Sequence, residues 1–167
     1  MTMHFSDLGD LARTWIFLAS RELTDKEIVA VKERGNHFVH TWQSHGKNVT
    51  GAFDIFYNRF LVFFADLQIS EVTACAVDKS FDFIKSVENE FKITLLNRNL
   101  VAYRDAGEIK ITEINRLRSA LHPDDFHSIQ FFNTYITTKG ELLRNFEIPV
   151  RGSWLEQLLN LPVHEPV

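Results

Sequence analysis

The hydrophobic pattern of this chain is strongest over residues 53–65, where aromatic and aliphatic side chains dominate. Residues 50–57 alternate large apolar side chains with smaller or polar ones, and residues 59–66 are apolar on both alternating faces. A strand that is apolar on both faces is typical of the centre of a covered sheet. Asn58 lies between the two segments, and asparagine tolerates the left-handed backbone that tight turns need. The pattern therefore predicts a central hairpin of two strands.

A strand and a helix are predicted before this hairpin. Residues 14–19 are nearly continuous in apolarity and rich in strand formers. Thr24, with Glu27 three residues later, matches the capping box that starts a helix. Its apolar stripe, which also includes Gly35, is formed by Ile28, Val31, Phe38, Val39 and Trp42. A glycine in that stripe lets another backbone approach closely. We expect the helix to end near His45, because a glycine follows it.

A second helix follows the hairpin, and Asp78 is its predicted cap. Its stripe is formed by Val77, Phe81, Ile84, Val87 and Phe91. Residues 93–96 then form a short predicted strand. The resulting βαββαβ order is typical of a ferredoxin-like split βαβ unit. We therefore predict an α+β protein, with an antiparallel sheet of ferredoxin-like order in the first two-thirds of the chain and a strand and helix extension after it. The second face of the sheet needs cover, from the C-terminal third or from a second subunit.

The C-terminal extension is predicted from shorter patterns. Residues 128–137 fit a strand and a helix almost equally well, because β-branched and aromatic residues there also recur at helical spacing. Thr138 and Glu141 form a second capping box. The other predicted elements are strands at residues 100–104 and 108–111, helices at 112–121, 138–146 and 154–159, and an extended tail at 161–167. There is no repeat and no linker, so we expect a single domain, residues 1–167.

Composition narrows the classes of protein to which the chain can belong. The 167 residues carry a net charge of −4 and include 15 phenylalanines. An acidic balance gives no footprint for nucleic acid, and no apolar run is long enough to span a bilayer, so we expect neither nucleic acid nor membrane as a partner. The chain has a single cysteine, which is typical of a reducing cytosol. Residues 1–10 lack the pattern of a signal peptide, and we expect a cytoplasmic protein.

Cys75 is the main candidate for catalysis. A thiol close to the start of a helix is stabilised as thiolate by the helix dipole, and His45 and Asp78 are candidate helpers. This hypothesis requires the three side chains to meet in a cleft. The alternative is that Cys75 is a small buried hydrophobe, because its neighbours are small and apolar. We favour the alternative.

Candidate ligand-binding residues cluster at the predicted end of the first helix and the start of the second, at Trp42, Ser44, His45 and Ser80. His37 and His40 are spaced to share a metal on a helix, but both fall nearly opposite its apolar stripe and are expected to face solvent. We therefore expect no metal site and no cofactor.

Two patterns typical of nucleotide or RNA binding, a phosphate-binding loop and an aromatic RRM strand, are incomplete in this chain. Lys47 follows a glycine, but Thr41 stands where a phosphate-binding loop has its first glycine and Asn48 where it has serine or threonine. The aromatic run at residues 59–64 lacks the small residues that let RNA bases lie flat on an RRM strand. Core packing is the favoured use of these rings.

Four segments carry a resemblance to a family. They are the W-x-x-H-G motif at residues 42–46, the strand at residues 57–66, the C-x-x-D-x-S motif at residues 75–80, and residues 149–154. In these segments the chain resembles uncharacterised bacterial proteins of about 160 residues that often carry the automatic label "ABC transporter ATPase". Family members often have serine after the cysteine, where this chain has Ala76. The resemblance implies no established activity, and the missing phosphate loop contradicts the label.

Two functions are consistent with the sequence. The first is a small protein that works by binding, through a self-association surface or a small ligand held between the end of the first helix and the start of the second. It is favoured because the aromatic sheet carries little catalytic polarity. The alternative is a cysteine-dependent enzyme that uses Cys75 with His45 and Asp78. An RNA-binding module is a third, less favoured hypothesis.

Overall fold

The computed structural model describes residues 3–69, 71–121, 125 and 128–160. Its elements in chain order, after a 3-10 turn at Phe5–Asp7, are β1 (Arg13–Leu18), α1 (Asp25–Thr41), β2 (Gln43–Ser44), β3 (Lys47–Asn48), β4 (Gly51–Phe56), β5 (Phe60–Ala65), α2 (Ala74–Phe91), β6 (Leu100–Asp105), β7 (Glu108–Glu113), α3 (Ile114–Ala120), β8 (Gln130–Phe132), α4 (Lys139–Asn145), β9 (Glu147–Pro149) and α5 (Trp154–Asn160). The fold class is therefore α+β with antiparallel sheets.

The chain divides into two compact units. Unit 1 comprises Met1–Asn97 and Thr134–Phe146, and unit 2 comprises Arg98–Asn133 and Glu147–Val167. Each unit is thus built from two separate stretches of chain. The expectation of a single domain stays a prediction.

Unit 1 is built on a three-stranded antiparallel sheet with the order β1-β5-β4. β4 and β5 form the predicted hairpin, and its turn residues Tyr57 and Asn58 both have left-handed backbone, with φ of 49° and 54°. Every residue of the central strand β5 is buried. The prediction of a central strand covered on both faces is confirmed.

The two faces of this sheet are covered by different parts of the chain. On one face the ring of Phe63 lies 5.5 Å and 5.6 Å from rings carried by α1 and α2. On the other, Phe64 stacks on Phe5 at 5.3 Å and Phe60 lies 4.9 Å from Phe146. Phe146 follows α4, so the C-terminal third supplies part of this cover within the same chain.

The long helices α1 and α2 of unit 1 differ from their predicted boundaries at one end each. The capping box of Thr24 and Glu27 is present and starts α1 as predicted. However, α1 ends at Thr41 and not near His45, because Trp42 already has extended backbone. The predicted cap Asp78 is also wrong: α2 begins at Ala74, after Thr73. Alanine is the strongest helix former, so Ala74 and Ala76 favour the earlier start, although the side chain of Thr73 makes no cap hydrogen bond.

The predicted strand at residues 93–96 does not form, so the ferredoxin-like order is not confirmed. Lys92 ends α2 in a left-handed conformation, with φ of 53°. The amides of Leu95 and Leu96 then donate to the Glu88 carboxylate at 2.6 Å and 2.9 Å. These amides are therefore engaged by a side chain rather than by a neighbouring strand.

Unit 2 holds a four-stranded antiparallel sheet with the order β7-β6-β8-β9. The predicted strands at 100–104 and 108–111 are confirmed in β6 and β7. Residues 128–137, which fitted a strand and a helix almost equally well, contain a strand at Gln130–Phe132. Its apolar core is formed by Val101, Tyr103, Leu117, Leu121, Phe131, Val150, Leu155 and Leu159. The predicted tail, 161–167, lies outside the described residues.

The short helices follow their predictions with one shift. The capping box of Thr138 and Glu141 starts α4, and the Ser153 hydroxyl accepts from two amides at the start of α5. The helix predicted from residue 112 begins at Ile114, because the preceding residues belong to β7. No described helix combines the length and the apolarity needed to cross a bilayer.

Candidate functional site

The predicted end of the first helix is a small hairpin, β2–β3, in which Gln43 pairs with Asn48 and Ser44 with Lys47. His45 and Gly46 form its two-residue turn, with φ of 48° and 78°. Left-handed backbone at both central positions is the conformation that two-residue hairpin turns favour. His45 is therefore exposed in a turn and does not lie at the end of a helix.

Trp42 links this hairpin to the start of α2. Its side chain is 2% exposed, and its indole Nε1 donates to the carbonyl of Ala76 at 2.9 Å. Its ring lies 5.4 Å from that of Phe38. The end of α1 and the start of α2 therefore meet, as the binding hypothesis requires, but the hydrogen-bonding group of Trp42 is used inside the protein.

Ser44 and Lys79 make further polar contacts between the hairpin and the start of α2. The hydroxyls of Ser44 and Thr73 lie 2.8 Å apart, and the Thr73 amide donates to the Ser44 hydroxyl at 3.3 Å. The Lys79 ammonium donates to the Gln43 carbonyl at 3.0 Å. Since Ser44 is 4% exposed, its role is to hold the hairpin against α2.

Ser80 is fully buried in α2, where its hydroxyl donates to the Val77 carbonyl at 2.6 Å. This contact is a local one within the helix. Ser80 therefore offers no free polar group to a ligand, although the sequence made it a candidate.

Cys75 is the second residue of α2, and its side chain is exposed. The favoured alternative, a buried apolar cysteine, is wrong, because the helix starts earlier than predicted and turns this position to solvent. Asp78, one turn later, is exposed as well. Within the described residues, no hydrogen bond or ion pair joins Cys75 to His45 or Asp78. The structure therefore places these three residues in neighbouring elements but does not link them as a catalytic set.

A groove that the sequence did not reveal lies between α1 and α2. We call it the α1–α2 groove, and it is lined by Glu33, Arg34, His37, Phe38, Thr41 and Phe83. Its cavity volume is ≈ 470 Å³. The rings of Phe38 and Phe83 lie 5.2 Å apart and are inclined by 36°. The groove thus combines two adjacent aromatic rings with polar and charged side chains.

Arg34 is held in place by α2. One terminal nitrogen of its guanidinium donates to the Ser86 hydroxyl at 2.8 Å, and the other bonds to the Glu90 carboxylate. The guanidinium carbon also lies 5.7 Å from the centre of the Phe83 ring. The charge of Arg34 is therefore largely compensated by Glu90.

The two helical histidines line different cavities. His37 lines the α1–α2 groove, whereas His40 lines a smaller cavity of ≈ 160 Å³ with Met3, Asn36, Val39, Val49, Thr50 and Gly51. Their spacing therefore does not bring them to one ligand. Across the described part of the chain, no group of three or more His, Cys, Asp or Glu side chains is placed to hold a metal ion.

The sequence contained a partial signal for the α1–α2 groove. Glu33, His37 and Thr41 recur every four residues, which places them in one row along α1. Phe38 was assigned to the apolar stripe of α1, but Phe83 was not part of the predicted stripe of α2. The pairing of these two rings depends on how the helices pack, which periodicity alone does not determine.

No protein-family model, no curated protein and no solved structure matches this chain. The resemblance to an uncharacterised bacterial family therefore stays a prediction, and the site is interpreted from its own geometry.

Proposed function

We propose that this protein binds a small molecule in the α1–α2 groove. The observation that carries the proposal is the groove itself, which opens over two aromatic rings and has charged and hydroxyl side chains around them. Small-molecule sites are concave, largely apolar and equipped with a few polar groups, and their volumes are roughly 300–1,000 Å³. The groove has a volume in this range, and it combines two aromatic rings with four polar or charged side chains.

The packing of the surrounding residues supports a preformed site. Phe38 contacts the ring of Trp42, which is itself fixed by its hydrogen bond to Ala76. Phe83 is 9% exposed and packs against Phe63 of the central strand. A site whose walls are already ordered loses less conformational entropy when a ligand binds. The groove lies along the C-terminal half of α1, close to the region that the sequence indicated.

Self-association is the other form of binding that the sequence suggested. Its motivation was an aromatic sheet in need of cover, and the side chains of β5 are buried within one chain. We therefore propose the ligand form. We also propose a cytoplasmic setting, because an exposed single thiol is typical of a reducing compartment.

The alternative is an enzyme that uses Cys75. It is supported by the exposure of the thiol at the start of α2. It lacks a base in hydrogen-bond contact with the thiol among the described residues, which nucleophilic catalysis by cysteine ordinarily requires. For this reason we rank it below ligand binding.

A fragment screen followed by two-dimensional amide NMR tests the proposal. Ligands that occupy the groove should shift the amide signals of Glu33, His37 and Thr41. His37→Trp fills the groove with a large ring and should abolish these shifts. His40→Trp is the matched control, because the same change three residues later falls on the other cavity.

Two results would contradict the proposal. One is a screen in which no fragment shifts the groove signals of the folded protein. The other is a fragment that shifts them equally in His37→Trp and His40→Trp, since its binding would then not depend on the open groove.

A further inference from the structure

The charges that line the α1–α2 groove are not equally available to a ligand. Glu33 and Arg34 are the two charged residues among the six lining ones, apart from the titratable His37. Arg34 is bonded to Glu90 and Ser86. Glu33 is exposed and, among the described residues, makes no hydrogen bond or ion pair. The uncompensated charge at the groove is therefore negative.

The phenylalanine rings of the groove, like Glu33, favour a positively charged ligand. The faces of phenylalanine rings carry negative potential and attract cations placed within about 6 Å. The groove already has one such contact, since the Arg34 guanidinium lies 5.7 Å from the centre of the Phe83 ring. Phe38 is half-buried and lines the groove beside it. Because Arg34 already occupies the Phe83 ring, a ligand cation would meet the Glu33 carboxylate and the ring of Phe38 together.

We infer that the α1–α2 groove binds a small organic cation, an ammonium that carries an apolar group. The inference rests on the proposed function and specifies its ligand class. The ammonium pairs with Glu33, and the apolar group lies against Phe38 and Phe83. An anionic ligand is disfavoured, because at Arg34 it would compete with the carboxylate of Glu90, which is already in place.

Three probes that differ chiefly in charge test this inference: phenethylammonium, 2-phenylethanol and phenylacetate. Each is titrated into the full chain, and its dissociation constant is measured from the amide shifts of the groove residues. Phenethylammonium should bind about five-fold more tightly than 2-phenylethanol, and phenylacetate most weakly. Added salt should reduce the preference for the cation, because exposed charge pairs are screened.

Variants identify the residue that provides the preference. Glu33→Gln should reduce the advantage of phenethylammonium over 2-phenylethanol to less than about two-fold. Glu71→Gln removes one negative charge from an exposed residue that does not line the groove, and it should leave the advantage unchanged.

The outcomes separate this inference from the proposed function. Tightest binding by phenylacetate, equal binding by all three probes, or an unchanged preference in Glu33→Gln would overturn the inference while ligand binding in the groove stands. If fragments of other classes bind in the groove and none of the three probes does, the inference of a cationic ligand is overturned and the proposed function stands. A groove that binds nothing would overturn both.

Discussion

Trp42 is the residue at which the two predicted site segments meet. The sequence made it a candidate for ligand binding, but its indole is 2% exposed and its Nε1 donates to Ala76. A buried hydrogen bond between elements 34 positions apart fixes their relative placement. Trp42 thus supports the α1–α2 groove indirectly, through the ring of Phe38.

Replacing Trp42 by phenylalanine should lower the free energy of unfolding by about 2 kcal/mol, since it removes a buried hydrogen bond and leaves a small cavity. Urea denaturation measures the change. Trp15→Phe is the control, because Trp15 is half-buried and its indole nitrogen makes no hydrogen bond within the described residues. Equal losses in the two variants would contradict the role assigned to the Nε1 contact.

For the predicted site residues, the sequence indicated which segments lie close together but not which polar side chains are free. Proximity between residues 42–46 and 75–80 was a reasonable hypothesis, and Trp42 and Lys79 do bridge the two segments. Whether a polar side chain is free depends on partners that are distant in sequence. Ser44 bonds to Thr73, and this contact follows from the hairpin that the sequence did not predict.

At the scale of elements, helix starts marked by a local capping box were predicted correctly, whereas elements with competing hydrogen-bond partners were not. Both capping boxes were correctly identified, because the two partners stand three residues apart and satisfy each other. The start of α2 was missed, because Thr73 makes no side-chain cap and Asp78 offered a stronger pattern. The strand predicted at residues 93–96 does not form, because the Glu88 carboxylate accepts hydrogen bonds from the amides of Leu95 and Leu96.

Gly35 tests how closely α1 packs on the sheet. The sequence predicted a close approach of another backbone, whereas a methyl group at this position would overlap the side-chain ring of Phe53. Gly35→Ala should therefore lower the free energy of unfolding by at least about 1 kcal/mol, although alanine is the better helix former. Thermal or urea denaturation measures the effect. Gly9→Ala, which meets nothing within 4 Å, is the control. A stabilised Gly35→Ala would show that the helix can shift away from the ring.

The start of α1 should show a dependence on pH. The Arg21 guanidinium, together with the amide of Thr24, lowers the pKa of Glu27 from 4.5 to about 2. A lowered pKa in the folded state means that the ionised carboxylate stabilises the fold above pH 4.5 and loses this effect as the pH falls towards 2. The contribution is below about 1 kcal/mol, because the Arg21 side chain is 44% exposed and the pair is screened by solvent.

Comparison of the wild-type chain with Glu27→Gln checks this pH dependence. The difference between their free energies of unfolding should be largest above pH 5 and should shrink towards pH 2. Glu71→Gln serves as the control, since that exposed side chain lies outside the capping box. A difference that stays constant over this range would rule out the ionised carboxylate of Glu27 as its source.

At the scale of the whole molecule, the order of elements along the chain does not show which elements belong to the same compact unit. The sequence suggested a first part built on one sheet and an extension after it. Instead, unit 1 is completed by Thr134–Phe146, a stretch that returns after β6, β7, α3 and β8 of unit 2. Edge contacts secure this return, since the Thr14 amide donates to the Thr137 carbonyl at 2.8 Å and the Lys139 amide to the Ala12 carbonyl at 2.8 Å. Such long-range pairing leaves no periodic signal in the sequence.

Phe146 provides the test of this long-range connection. Its ring is 8% exposed and lies 4.9 Å from Phe60, at the start of the central strand β5. Phe146→Ala should lower the free energy of unfolding by about 3 kcal/mol, because it opens a cavity beside buried aromatic rings. It should also speed hydrogen exchange of the β5 amides, more than 80 positions earlier in the chain, as measured by mass spectrometry or NMR.

Leu143→Ala is the matched control for Phe146→Ala. Leu143 belongs to the same short helix region but is 57% exposed, so its truncation should change the free energy of unfolding by less than about 0.5 kcal/mol. Exchange of the β5 amides should then match that of the wild-type chain. Equal effects of the two variants on β5 would mean that the strand does not depend on cover by Phe146. A selective effect of Phe146→Ala would establish that residues after unit 2's β8 help to hold the sheet on which α1, α2 and their groove are built.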